Sequence, residues 1–111
     1  MFKCAKQGVV NVISGDDPLN ADSLSDVTRL LDECIAEGQP RIVIDLQSIP
    51  LIDSAGLELL LDVYDQCARR GGALCLAGPN DLCHDILRIT GVAERSEIYE
   101  DALSAVGSFI Q

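Results

Sequence analysis

The stretch Arg41-Ile42-Val43-Ile44-Asp45-Leu46-Gln47-Ser48-Ile49-Pro50-Leu51-Ile52-Asp53-Ser54-Ala55-Gly56-Leu57 decides how this chain folds. Residues 41–46 are β-branched and nearly continuously apolar, the pattern of a strand covered on both faces. After residues 47–52 the period changes. Leu57, Leu60, Leu61, Tyr64, Cys67 and Ala68 recur at helical spacing until Gly71-Gly72 stops the run. The helix starts near Asp53 or Ser54, and either residue type caps a helix by accepting bonds from first-turn amides. A buried strand leading directly into a helix is the unit from which parallel sheets are built.

The same alternation extends outward in both directions. Residues 2–6 and 8–14 read as two short strands hinged at Gly8, the second carrying Val9, Val10, Val12 and Ile13. Gly15-Asp16-Asp17-Pro18 breaks the pattern. From about Asn20, Leu24, Val27, Leu30, Leu31, Cys34 and Ile35 mark one face of a helix closed by Gly38. Its other face carries Asp22, Asp26, Asp32, Glu33 and Glu37, a solvated acidic surface. Ala73-Leu74-Cys75-Leu76-Ala77 is another buried strand, and Gly78-Pro79-Asn80 leads to a third helix carrying Leu82, Ile86 and Ile89, ended by Gly91. A short strand near Ile98-Tyr99 and a last helix with Ala102, Leu103, Val106, Phe109 and Ile110 follow. The order predicts an α/β fold: a mixed, mostly parallel sheet of four or five strands, entered by an antiparallel hairpin, with four helices.

Composition narrows the function classes. A chain of 111 residues corresponds to one domain, residues 1–111, and 48% hydrophobic content supplies a core without staples. Aromatics are only 4% and Trp is absent, so that core is aliphatic. A net charge of −10 repels phosphate backbones and anionic lipid heads, which argues against nucleic acid and membrane surfaces as partners. No signal peptide opens the chain and no apolar run reaches the ~20 residues of a membrane span, so a soluble cytoplasmic domain is expected. The five cysteines contain no CxxC pair, and their odd number argues for reduced thiols. Cys34, Cys67 and Cys75 lie within apolar patterns and read as small buried hydrophobes. His84 is the single histidine, with no ligand cluster around it, so no metal site is expected. Neither GxGxxG nor a Walker lysine loop is present, and no cofactor is called for. Cys83 and His84 are neighbours on a helix, about 100° apart, and cannot act as a nucleophile and its base.

Chemistry concentrates in Ile52-Asp53-Ser54-Ala55-Gly56-Leu57. Three readings fit Ser54. It is a helix cap, or the serine of half a nucleophile elbow, although Ile52 occupies the place of that elbow's first glycine. Or it is a covalent switch: a phosphoryl group would add about −1.5 to −2 charges at a helix N-terminus, which tolerates negative charge.

The segments Ile42-Val43-Ile44-Asp45-Leu46, Ile49, Ile52-Asp53-Ser54-Ala55-Gly56-Leu57 and Leu60-Leu61 resemble the STAS domain family, and more narrowly its anti-sigma factor antagonists. The similarity runs through Gly15, Leu19-Asn20, Gly71-Gly72, Leu74-Cys75-Leu76-Ala77-Gly78 and Ala102-Leu103. It implies a non-catalytic protein in which Ser54 is the residue phosphorylated by a partner kinase. It further implies docking through Asp53, Ser54, Ala55, Gly56 and Leu57, together with Asp16, Leu19 and Asn20 of the first loop. The implied partners are a serine-kinase anti-sigma factor and a serine phosphatase. Here Gly15-Asp16-Asp17-Pro18 precedes Leu19-Asn20, leaving that loop about two residues longer and more acidic than the family pattern, on the sheet edge where partners of parallel α/β folds bind. The alternative is a constitutive scaffold subunit, of a lipid-transport or other complex, in which Ser54 is only a helix cap.

Overall fold

Two apolar faces of one five-stranded sheet organise the computed structural model, which describes residues 1–36 and 38–110. Glu37, read above as part of the acidic helix face, lies outside the described residues. The elements run β1 (Phe2–Gln7), β2 (Val10–Gly15), α1 (Leu24–Ile35), β3 (Arg41–Asp45), α2 (Ser54–Arg69), β4 (Ala73–Ala77), α3 (Asp81–Ile89), α4 (Val92–Arg95), β5 (Glu97–Tyr99) and α5 (Ala102–Ser108). Spatial order follows chain order, β1 to β5. The β1–β2 hairpin is antiparallel, and the other three pairings are parallel.

Side chains of the central strands alternate between the faces, as strand geometry requires. Ile13, Ile42, Ile44, Leu74 and Leu76 meet Val27 and Leu31 of α1, Leu60 and Val63 of α2, and Leu87 of α3. Val12, Val43, Cys75 and Ala77 point the other way, onto Ala105 and Val106 of α5. The strands are thus covered on both sides, as the unbroken run of residues 41–46 demands. Cys34, Cys67 and Cys75 are buried, as read from the sequence, and so is Cys83. Among the described residues, no helix is long and apolar enough to cross a membrane, and no cluster of three potential metal ligands occurs.

The structure departs from the expected helices in two ways. It has five among the described residues rather than four, because Gly91 ends α3 and also starts α4. Its φ of +84° turns the chain so that helix resumes at once, a conformation that glycine adopts without strain. Arg95 then ties α4 to α2 through a 2.9 Å bond to Asp65 and by lying 5.5 Å above the Tyr64 ring. The second departure is the rotation of α3. The sequence pattern placed Leu82, Ile86 and Ile89 inward, whereas Cys83 and Leu87 are buried and Leu82 and Ile89 are 53% and 77% exposed. The cause lies at the cap. Asn80 Oδ1 accepts from the Cys83 amide at 2.7 Å, and its Nδ2 donates to the carbonyls of Ile49 and Pro50 at 3.4 Å. That clamp sets the helix phase. In α5, likewise, Leu103 is exposed while Ala105 and Val106 face the sheet, and Ile110, expected in this helix, lies past its end and is exposed.

Truncation distinguishes the two faces of α3. Leu87→Ala removes a fully buried side chain and is expected to cost about 2–5 kcal/mol, whereas Leu82→Ala is expected to stay within about 0.5 kcal/mol, both by urea denaturation. Burial also raises the Cys67 thiol to about 11 from an ordinary 9.0, and it raises Cys75 and Cys83. Raised thiols stabilise the fold fully below the unfolded value, and that stability is lost as pH rises toward the folded one. The urea midpoint is therefore expected to fall between pH 9 and 11. Cys67→Ala should show a shallower fall.

Candidate functional site

The segment between β3 and α2 is held down by three side chains. Leu46, Ile49 and Ile52 are each 1% exposed or less, while Gln47, Ser48, Pro50 and Leu51 face outward. Backbone bonds complete the path, from the Leu46 amide to the Ala77 carbonyl at 2.7 Å and from the Ile49 amide to the Leu46 carbonyl at 3.0 Å. The chain consequently arrives at α2 with little freedom of direction.

The first loop is stitched to this segment. Leu19 and Ile52 form a parallel bridge in which the Leu19 amide donates to Leu51 at 2.9 Å and the Asp53 amide donates to Leu19 at 3.1 Å. Asn20 folds the loop locally, its Oδ1 accepting from the amides of Asp22 at 3.0 Å and Ser23 at 3.2 Å. This turn delays the helix, so α1 begins at Leu24 and not near Asn20. The buried Ser23 hydroxyl donates to the Pro18 carbonyl at 2.7 Å and closes the loop.

Asp53 is the cap of α2. Its Oδ1 accepts from the Gly56 amide at 3.1 Å. Ser54 is the first helical residue; it is exposed, and its hydroxyl has no hydrogen-bond partner among the described residues. The choice between Asp53 and Ser54 as cap is thereby resolved, and among the described residues no base side chain is bonded to the serine. The amides of Ser54 and Ala55 belong to the four that a helix start leaves without intrahelical acceptors. Any negative group built on Ser54 would meet those amides and the positive end of the helix dipole.

The residues singled out from the sequence divide by exposure. Ser54 and Asp16 are exposed; Asp53, Ala55, Leu57 and Asn20 are half-buried. Leu19 and Gly56 are buried against each other, so they shape the surface from beneath. Asp16 sits farther along the same edge. It lines a hollow of about 410 Å³ with Ser14, Asp45 and Ser48, and it accepts from the Met1 ammonium at 2.8 Å, which holds its carboxyl below the usual range. Asp17 also pairs with that ammonium. Leu51, not singled out from the sequence, is 40% exposed beside the Asp53–Ser54 turn. It projects outward between two core residues, Ile49 and Ile52.

Gly56 is where the loop and the helix touch. A Cβ there would lie 2.5 Å from the Leu19 carbonyl oxygen and 3.0 Å from Leu19 Cβ. Alanine normally gains up to about 1 kcal/mol over glycine inside a helix. Here overpacking against backbone outweighs that gain, and Gly56→Ala is expected to lose about 1–3 kcal/mol net in thermal or urea melts.

A family model described as the STAS domain matches residues 3–105. The chain is 30% identical over 84 residues to an anti-sigma F factor antagonist of Paenibacillus polymyxa, covering 74% of this chain and 72% of that one. The fold superposes with a TM-score of 0.92 on a candidate anti-sigma factor antagonist from Thermotoga maritima, at 21% identity, over 99% of this chain and 95% of the other. It also superposes on the anti-sigma factor antagonist SpoIIAA in its unphosphorylated form, with a TM-score of 0.83 at 15% identity, over 98% and 96% of the two chains. The phosphorylated form of SpoIIAA from Bacillus gives 0.76, again at 15% identity, over 98% and 99%. At such identities the superpositions establish the fold.

Proposed function

The chain belongs to the STAS domain family, and we propose that it acts as an anti-sigma factor antagonist switched by phosphorylation of Ser54. The observation that carries this reading is the division of labour at the start of α2. Asp53 already caps the helix, which leaves the exposed Ser54 hydroxyl without a structural task. The 30% identity to an anti-sigma F factor antagonist supports the class of partner.

In this mechanism the unphosphorylated protein docks through Ser54, with Asp53, Ala55 and Leu57 around it and Asp16 and Asn20 farther along the edge. Leu19 and Gly56 hold that surface in place. The partner is a serine-kinase anti-sigma factor, and its capture frees the sigma factor. The kinase transfers a phosphoryl group to Ser54 Oγ, and a serine phosphatase removes it. Phosphorylation leaves the fold intact, since the free amides and helix dipole accept the charge locally. It disrupts docking because about −1.5 to −2 charges at the centre of the contact must be desolvated. The protein supplies surface and charge, and the chemistry of transfer belongs to its partners.

Titration calorimetry with the partner kinase tests the switch. Ser54→Ala keeps the surface small and neutral and is expected to bind within about tenfold of wild type, whereas Ser54→Asp is expected to lose about 100-fold or more. Both variants should melt within about 1 kcal/mol of wild type. With kinase and ATP, wild type should be phosphorylated on Ser54 and Ser54→Ala on no residue. Equal affinities for all three proteins would overturn the switch and favour a constitutive scaffold.

A further inference from the structure

The edge strand and the end of the first helix bring two thiols together. Cys4 pairs across the ladder with Ile13, whose side chain faces the α1 layer, so Cys4 points to the same side. Its Sγ lies 3.8 Å from Cys34 Sγ, across a sequence separation of 30 residues. Cys4 is exposed and Cys34 is buried. Burial does not seal Cys34, because it lines a surface cavity of about 200 Å³ with Lys6, Asn11, Pro40 and Arg41. A molecule the size of hydrogen peroxide fits that cavity. The sulfurs therefore share a position that small oxidants can reach, at the end of α1 away from the loop that meets Ser54.

We propose that Cys4 and Cys34 form a peroxide-responsive pair that closes into a reversible intramolecular disulfide. The Cys4 thiolate attacks one peroxide oxygen, the O–O bond breaks, and water leaves once the departing oxygen takes a proton. Cys4 is then a sulfenic acid. Cys34 sulfur attacks the Cys4 sulfur, the S–S bond forms, and the sulfenic oxygen departs with the Cys34 proton as a second water. Two thiols and one hydrogen peroxide give one disulfide and two waters. A dithiol reductant restores both thiols by exchange. The sulfurs must close from 3.8 Å to about 2 Å. β1 can supply that motion, since it is paired on one side only and five of its six residues are exposed. The bond would join β1 to α1 and enclose β2 and the whole first loop.

Peptide mapping under non-reducing conditions tests the pair, using the full chain and stoichiometric hydrogen peroxide. The expected product is a monomer in which the Cys4 peptide is joined to the Cys34 peptide and two of the five thiols are lost. Dithiothreitol should restore all of them. Constraining a loop of this length is expected to raise Tm by roughly 5–15 °C. In Cys4→Ser, an exposed and structurally mild change, Cys34 should stay reduced under the same treatment. In Cys34→Ser, Cys4 should stop at a sulfenic acid that dimedone traps. Oxidation of wild-type Cys4 to sulfinic acid, or its linkage to a second chain while Cys34 stays reduced, would overturn the proposal. None of these readouts involves Ser54 or a kinase, so they stand or fall separately from the switch.

Discussion

The short parallel bridge between Leu19 and Ile52 is the constraint on which the site depends. Two backbone bonds, 2.9 and 3.1 Å long, join a loop that follows β2 to a segment that follows β3. Neither segment belongs to a regular strand, yet each satisfies the other's peptide groups, as buried backbone must. The bond from the Asp53 amide to Leu19 places Asp53 over the first turn of α2, where its carboxylate becomes the cap. Once the cap is made there, the next residue is forced outward. The exposure of Ser54 is thus a consequence of pairing between two loops and does not arise from Ser54 itself.

This arrangement separates what holds the surface from what the surface presents. Leu19, Gly56 and Ile52 are buried and apolar, and their contacts are short. Among the described residues, the Ser54 hydroxyl makes no hydrogen bond on which the fold relies. A residue in that position can change its charge without a large change in stability, provided the helix start can absorb the charge. The uncovered amides at the start of α2 provide for that.

Much of the fold was legible because its signals are local. The continuous run at 41–46, the cap-type residues at 53 and 54, and the Gly71-Gly72 stop each act within a few residues. The parallel order of β2 to β5 followed from the helices between the strands. What was not legible depends on contacts between distant segments. The phase of α3 is set by Asn80 gripping Ile49 and Pro50, about 30 residues away in sequence, and periodicity cannot see that grip. Leu82 and Ile89 recur at helical spacing, which is why they read as core, but tertiary clamping turned the helix past them. α4 is not legible because a glycine after a helical run signals a stop, whereas the left-handed backbone of Gly91 also lets a helix restart. At the site, the serine and its neighbours were legible as a motif. The burial of Leu19 was not, because it follows from a bridge between two loops.

The two borders of the sheet have a colloidal consequence. Among the described residues, β1 and β5 each have a strand neighbour on one side only, and such borders recruit strands from other molecules. β5 is only three residues long, too short a template for stable pairing. β1 spans six residues but carries lysines at both 3 and 6, the residue type that commonly blunts an exposed edge. The brevity of one border and the lysines of the other both work against edge-to-edge pairing in a chain so rich in aliphatic strands.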